Sequence, residues 1–118
     1  MLKIKKEYTF WKPVTILSPT EDGKTEQSII KVQFKYDAKQ QAIMAKGYKD
    51  ADAGMYDELG LNAFKSVIIG WDGIADEDGN AIIFNQEMLE EVLHLPWIAS
   101  AISKTWERAL LADPMLGN

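Results

Sequence analysis

The chain contains no cysteine, which removes disulfides, thiolate metal ligands and cysteine nucleophiles together. This composition fits a reducing cytoplasm without requiring one. Histidine and arginine are almost as scarce, with His94 and Arg108 the single examples of each. His94 falls at the end of a helical segment, where it reads as a cap for free carbonyls before it reads as a general base. The glycines lack the spacing of a phosphate loop or a nucleophile elbow. Carboxylates are plentiful, but they sit in a turn and on helix surfaces, and a catalytic pair needs a cleft. The expectation is a protein that is not an enzyme and uses no cofactor and no metal.

No stretch approaches the roughly 20 apolar residues that cross a bilayer. The opening Met-Leu-Lys-Ile-Lys-Lys-Glu-Tyr is basic but has no apolar run of signal-peptide length. A membrane partner is therefore not expected, and the cytoplasm is the expected location. The formal net charge is −5. Lys3, Lys5, Lys6 and Lys12 make the beginning basic. Glu58, Asp72, Asp76, Glu77, Asp78, Glu87, Glu90 and Glu91 make the second half acidic. Nucleic-acid binding depends on neutralising phosphates with Lys and Arg, so an acidic chain with one arginine is a poor candidate. Both charge groups read first as solvated surface.

What is present describes a globular α+β protein. With 118 residues, 47% hydrophobic and 26% charged, the chain is the size of one domain with one core. Tyr8, Phe10, Val14 and Ile16 alternate with Thr9, Trp11 and Thr15, the pattern of a strand with one buried face. Pro13 interrupts it and points to an edge position or a bulge. Turn residues fill Ser18 to Lys24, and a second alternating run follows at Ile30, Val32, Phe34 and Tyr36. Two such runs around an Asp-Gly turn predict an antiparallel β-hairpin over residues 1–36.

The remainder, 37–118, reads as mainly helical. Asp37 caps a helix over Ala38 to Ala45, with Gly47 as its stop. Tyr48 to Gly60 is ambiguous, because helix formers are mixed there with Gly54 and Gly60. A short helix is expected from about Leu61 to Ile69, presenting Phe64, Val67 and Ile68. Gly70 to Phe84 reads as a small hairpin or extended loop whose turn is the acidic Asp-Glu-Asp-Gly-Asn cluster. Asn85 then caps a helix from Gln86 to His94, with Phe84 and Leu89 at the positions of a hydrophobic staple. Pro96 suits the first turn of a last helix, whose stripe runs through Ile98, Ala101, Ile102, Thr105, Trp106, Ala109 and Leu110. Pro114 and Gly117 are expected to end it.

Two features raise sharper possibilities. Asp76, Asp78 and Asn80 alternate, and Glu87 stands twelfth from Asp76, which is the ligand spacing of a calcium-binding EF-hand loop. Ala81 occupies the sixth place, where such a loop needs glycine, so a plain turn is the simpler reading of this would-be calcium module. The four tryptophans are Trp11, Trp71, Trp97 and Trp106. Tryptophan is enriched in binding hot spots, although a large aromatic is more often core. Trp106 lies on the apolar stripe of the last helix. Trp97 falls off that stripe, so it either packs on the loop region or faces a partner, and in the second reading it is the candidate partner contact.

Val67-Ile68-Ile69-Gly70-Trp71-Asp72-Gly73-Ile74, then Asp76-Glu77-Asp78-Gly79-Asn80, Ile83-Phe84-Asn85 and Leu93-His94-Leu95-Pro96-Trp97 resemble the tail assembly chaperones of long-tailed phages and prophages. In that family a helix ends in a Gly-Trp motif and passes through an Asp-x-Asp-Gly turn. A capped helix, a Leu-x-x-Pro-like break, a final helix and a short tail ending near Asn follow. The resemblance covers roughly residues 28 to 118, with Lys31-Val32-Gln33-Phe34-Lys35 matching the opening strand. Its motif residues here are Gly70, Trp71, Asp76, Asp78, Gly79, Asn80 and Pro96. It implies a protein of the host bacterial cytoplasm that binds the long helical tape-measure protein. The chaperone keeps that partner soluble until tail-tube subunits polymerise around it. The basic start, Met1 to Lys24, extends beyond the family pattern. Self-association through the hairpin edge is a further expectation, and a structural tail or head–tail connector subunit is the alternative.

Overall fold

The computed structural model describes residues 1–111; the expected helix stop at Pro114 and Gly117, and the short tail ending near Asn, lie outside the described residues. The fold is α+β and opens on the antiparallel hairpin, β1 (Tyr8–Pro19) and β2 (Thr25–Tyr36). The register runs from Tyr8 opposite Tyr36 to Pro19 opposite Thr25. At the tip, the Thr20 N–H donates to the Lys24 carbonyl at 2.9 Å, and Gly23 takes the left-handed conformation at φ 81°. The Thr20 hydroxyl donates to the Asp22 carboxylate and, with the Lys24 N–H, holds its pKa below the ordinary 3.8.

Alternation becomes burial along the middle of the hairpin, where Val14, Ile16, Ile30, Val32 and Phe34 all face inward. Burying a side chain of this size contributes roughly 1.5–3 kcal/mol. At the open end the alternation weakens: Tyr8 and Tyr36 stay more than a third exposed. Both lie at the last pair of the ladder, where the inner face runs out.

After the hairpin comes α1 (Ala38–Lys46), capped by Asp37, whose carboxylate accepts the Lys39 and Gln40 N–H groups at 2.9 and 3.1 Å. Gly47 ends the helix as expected. The ambiguous stretch forms a two-stranded ribbon of β3 (Tyr48–Asp50) and β4 (Met55–Tyr56), turned through Gly54 at φ 67°.

The next helix differs from expectation. It spans Glu58–Val67 (α2), starting earlier than Leu61, because Asp57 caps it by accepting the Gly60 N–H at 2.8 Å. Gly60 is therefore no helix break. A Cβ there would lie 3.2 Å from the Gly47 Cα and 3.0 Å from the Tyr56 Cβ, so glycine permits the close crossing of α1 and α2.

The larger correction concerns Ile68 and Ile69, expected in that helix, and Gly70 to Asp72, expected in the hairpin or loop; the small hairpin with its acidic turn is present beyond them, at Ile74 to Ile82. Ile68–Asp72 instead forms β5, which pairs antiparallel with β2 and completes a three-stranded sheet of order β1-β2-β5. A short apolar run fits a helix or a strand equally well by periodicity, and here the free edge of β2 decided. Gly70 pairs with Gln33 and Ile68 with Phe34, so Ile69 bulges out between them.

Two helices close the fold. Asn85 caps α3 (Gln86–Leu93), accepting the Met88 N–H at 2.8 Å, and His94 is its C-cap through its backbone N–H. Pro96 begins α4 (Pro96–Leu110) in the first turn. The inner sheet face meets Phe64 and Val67 of α2, Leu89 of α3, and Ile102 and Trp106 of α4 in one cluster. Trp106 is fully buried, with the Phe34 ring 5.4 Å away and the Phe10 ring 6.1 Å away, centre to centre.

Candidate functional site

Because the inner face is committed to the core, the outer face is where strand side chains meet solvent. Between its polar residues Thr9, Thr15, Gln27, Lys31, Gln33 and Lys35, this face carries three large apolar side chains where an alternating strand would normally place polar ones. Trp11, Leu17 and Ile29 are 48%, 53% and 63% exposed, and all three project from this face. Thr15 lies opposite Ile29, which places Ile29 diagonally beside Leu17. Gly70 extends the face onto β5. A Cβ there would crowd the Gln33 side-chain oxygen at 3.1 Å, while the Trp11 ring would lie in ordinary contact at 3.8 Å.

The face continues into a groove of about 650 Å³ between β1 and α4. Pro13, Thr15 and Leu17 line one side; Trp97, Lys104 and Arg108 are on the other. The groove exists because α4 packs against the edge strand β1 with one stripe and turns a second stripe outward. Ile102 and Trp106 belong to the first, and Trp97, Ala101, Lys104 and Arg108 to the second. Trp97 is partly buried against the core, yet it still lines the groove. The indole is half anchored and half available.

Most motif residues are placed elsewhere and hold the architecture. Trp71 is 8% exposed; its indole N–H donates to the Ile82 carbonyl at 2.7 Å, and its ring meets Phe84 edge-on at 5.0 Å. These contacts pin the acidic hairpin to β5. The hairpin itself is short, with Ala75 bridged to Ala81 and Gly79 left-handed at φ 83°. One Asp76 carboxylate oxygen accepts the N–H groups of Asp78 and Asn80, each at 2.9 Å. That oxygen organises the turn. Glu87 sits in the first turn of α3. Among the described residues, no group of three or more His, Asp or Glu is placed to hold a metal ion. Pro96 starts α4 and thereby sets where Trp97 points.

A smaller apolar pocket of about 200 Å³ lies between β4, α2 and the α3–α4 junction, lined by Tyr56, Phe64, Leu93 and Pro96 among others. The Tyr56 hydroxyl and the Ser103 hydroxyl share a hydrogen bond at 2.7 Å. Burial pushes the Tyr56 phenol above its ordinary pKa of 10.0, and this hydrogen bond partly opposes the shift. On α4, burial likewise raises the Glu107 carboxyl above its ordinary 4.5.

Sequence reasoning singled out Trp97 and missed Trp11, Leu17 and Ile29. The signal was present: Trp11 and Leu17 occupy odd positions of β1, where the alternation calls for polar residues. Compared with protein-family models, with curated proteins and with solved structures, the chain matches none. Among the described residues, no helix is long and apolar enough to cross a membrane.

Proposed function

We propose that this protein is a non-enzymatic binding protein that shields an apolar surface of a protein partner, acting as a phage tail assembly chaperone. The exposed row of Trp11, Leu17 and Ile29 carries this reading. Large apolar side chains gathered on one face of a small domain mark an interaction surface, because leaving them in water has a free-energy cost. The resemblance across Gly70-Trp71, Asp76 to Asn80 and Pro96-Trp97 supplies the identity of the partner, the tape-measure protein, released as tail-tube subunits assemble around it. The net charge of −5 helps keep such a complex dispersed.

Co-expression with the longest helical protein encoded beside it tests the proposal. A partner that is insoluble alone and soluble in complex is the expected result. A chain that forms rings or tubes by itself, with no effect on that partner, would favour the structural-subunit alternative.

A further inference from the structure

We infer that the groove between β1 and α4 docks one amphipathic helix of a protein partner, its apolar face inward and its carboxylates beside Lys104 and Arg108. This rests on the binding-protein reading and adds the place, the shape and the charge of what is bound.

Charge comes first. Lys104 and Arg108 are the charged residues of the lining, in a chain whose net charge is −5. Among the described residues, neither pairs with a carboxylate. Glu107, adjacent to Arg108, is not part of the lining. A cationic pair beside an apolar lining selects a partner that carries carboxylates next to its apolar face. The apolar part of the lining, Pro13, Leu17, Ile29, Trp97 and Ala101, needs an apolar face in return.

Shape favours a helix over a strand. β1 is an edge strand, so an extended segment could in principle add to it. Pro13 lacks an N–H, and within the unbroken ladder to β2 the missing donor is one that faces the free edge. The edge is therefore blunted at its middle. The wall from Trp97 to Arg108 is about 16 Å long, roughly three helical turns, which matches a helix laid along α4.

Two labelled peptides of identical leucine pattern test this by fluorescence anisotropy at low salt. One carries Glu and the other Lys along the polar face. The Glu peptide is expected to bind about tenfold more tightly, with the preference fading as salt screens it. In Lys104→Glu/Arg108→Glu the preference should reverse. Lys39→Glu/Lys46→Glu makes the same change in net charge on the exposed surface of α1 and should leave the preference intact.

Equal binding of both peptides, or an equal effect of the two double variants, would overturn the groove assignment. Failure of both peptides to bind, while the co-expressed partner is still solubilised, would reject the groove and leave the chaperone reading standing. Failure of both assays would reject both. Self-association that is lost in Lys104→Glu/Arg108→Glu would make the groove a contact between copies and overturn the inference as well.

Discussion

The indole N–H of Trp106 donates to the side-chain oxygen of Gln41 across 2.7 Å, joining α4 to α1 over 65 residues of sequence. The ring is fully buried, so the N–H has no water to turn to if Gln41 is lost. Gln41→Leu should destabilise the fold by about 1–3 kcal/mol, the cost of an unsatisfied buried donor. Gln41→Glu, which keeps an acceptor, should lose less. Urea denaturation of the three proteins decides it; equal loss in both variants would show that the hydrogen bond is not what matters.

The two left-handed glycines Gly54 and Gly23 separate backbone strain from packing. Both have positive φ, 67° and 81°. A Cβ on Gly23 meets nothing within 4 Å, whereas on Gly54 it would lie 2.9 Å from the Ser103 hydroxyl oxygen and 3.0 Å from its Cβ. Gly23→Ala should therefore show the conformational cost alone, about 1–2 kcal/mol. Gly54→Ala should cost measurably more, since the fully buried Ser103 has little room to yield. Similar melting temperatures for the two variants would contradict the packing of the β3–β4 turn on α4.

Glu107 gives a pH dependence of defined sign. Burial raises its folded-state pKa above 4.5, so the folded protein holds this proton more tightly than the unfolded chain does. Its contribution to stability is largest below that ordinary value and is lost as pH rises through the folded pKa. Glu107→Gln should consequently stabilise the protein at neutral pH relative to the parent, and the advantage should vanish in acid. Melting curves of both proteins across this range check it, and a constant difference at all pH values would refute the assignment.

The hairpin, the caps at Asp37 and Asn85, and the course of α4 were legible in the sequence because each depends on local chemistry. Alternation, a carboxylate or amide before a helix, and an unbroken apolar stripe are read within a few residues. β5 was not legible in this way. Ile68 and Ile69 satisfy a helix and a strand alike, and only the open edge of β2, far away in sequence, resolves them. Gly60 misled for a related reason, because its role is contact with Gly47 and Tyr56 and not its own conformation. Trp97 stood out through its departure from the core stripe, and the structure places it in the groove lining. The outer-face residues Trp11 and Leu17 occupy odd positions of β1, and scattered apolar residues on a solvent face have no period of their own to mark them.

The most direct measurement is the solubility of the co-expressed helical partner with the parent chain and with Leu17→Ser/Ile29→Ser. Both positions are more than half exposed, so the double variant should stay folded, with stability changed by less than about 1 kcal/mol. If the outer face is the binding surface, the folded variant will leave the partner in the insoluble fraction while the parent keeps it in solution. If the variant, shown to be folded by circular dichroism, solubilises the partner as well as the parent does, the outer face is not where binding occurs.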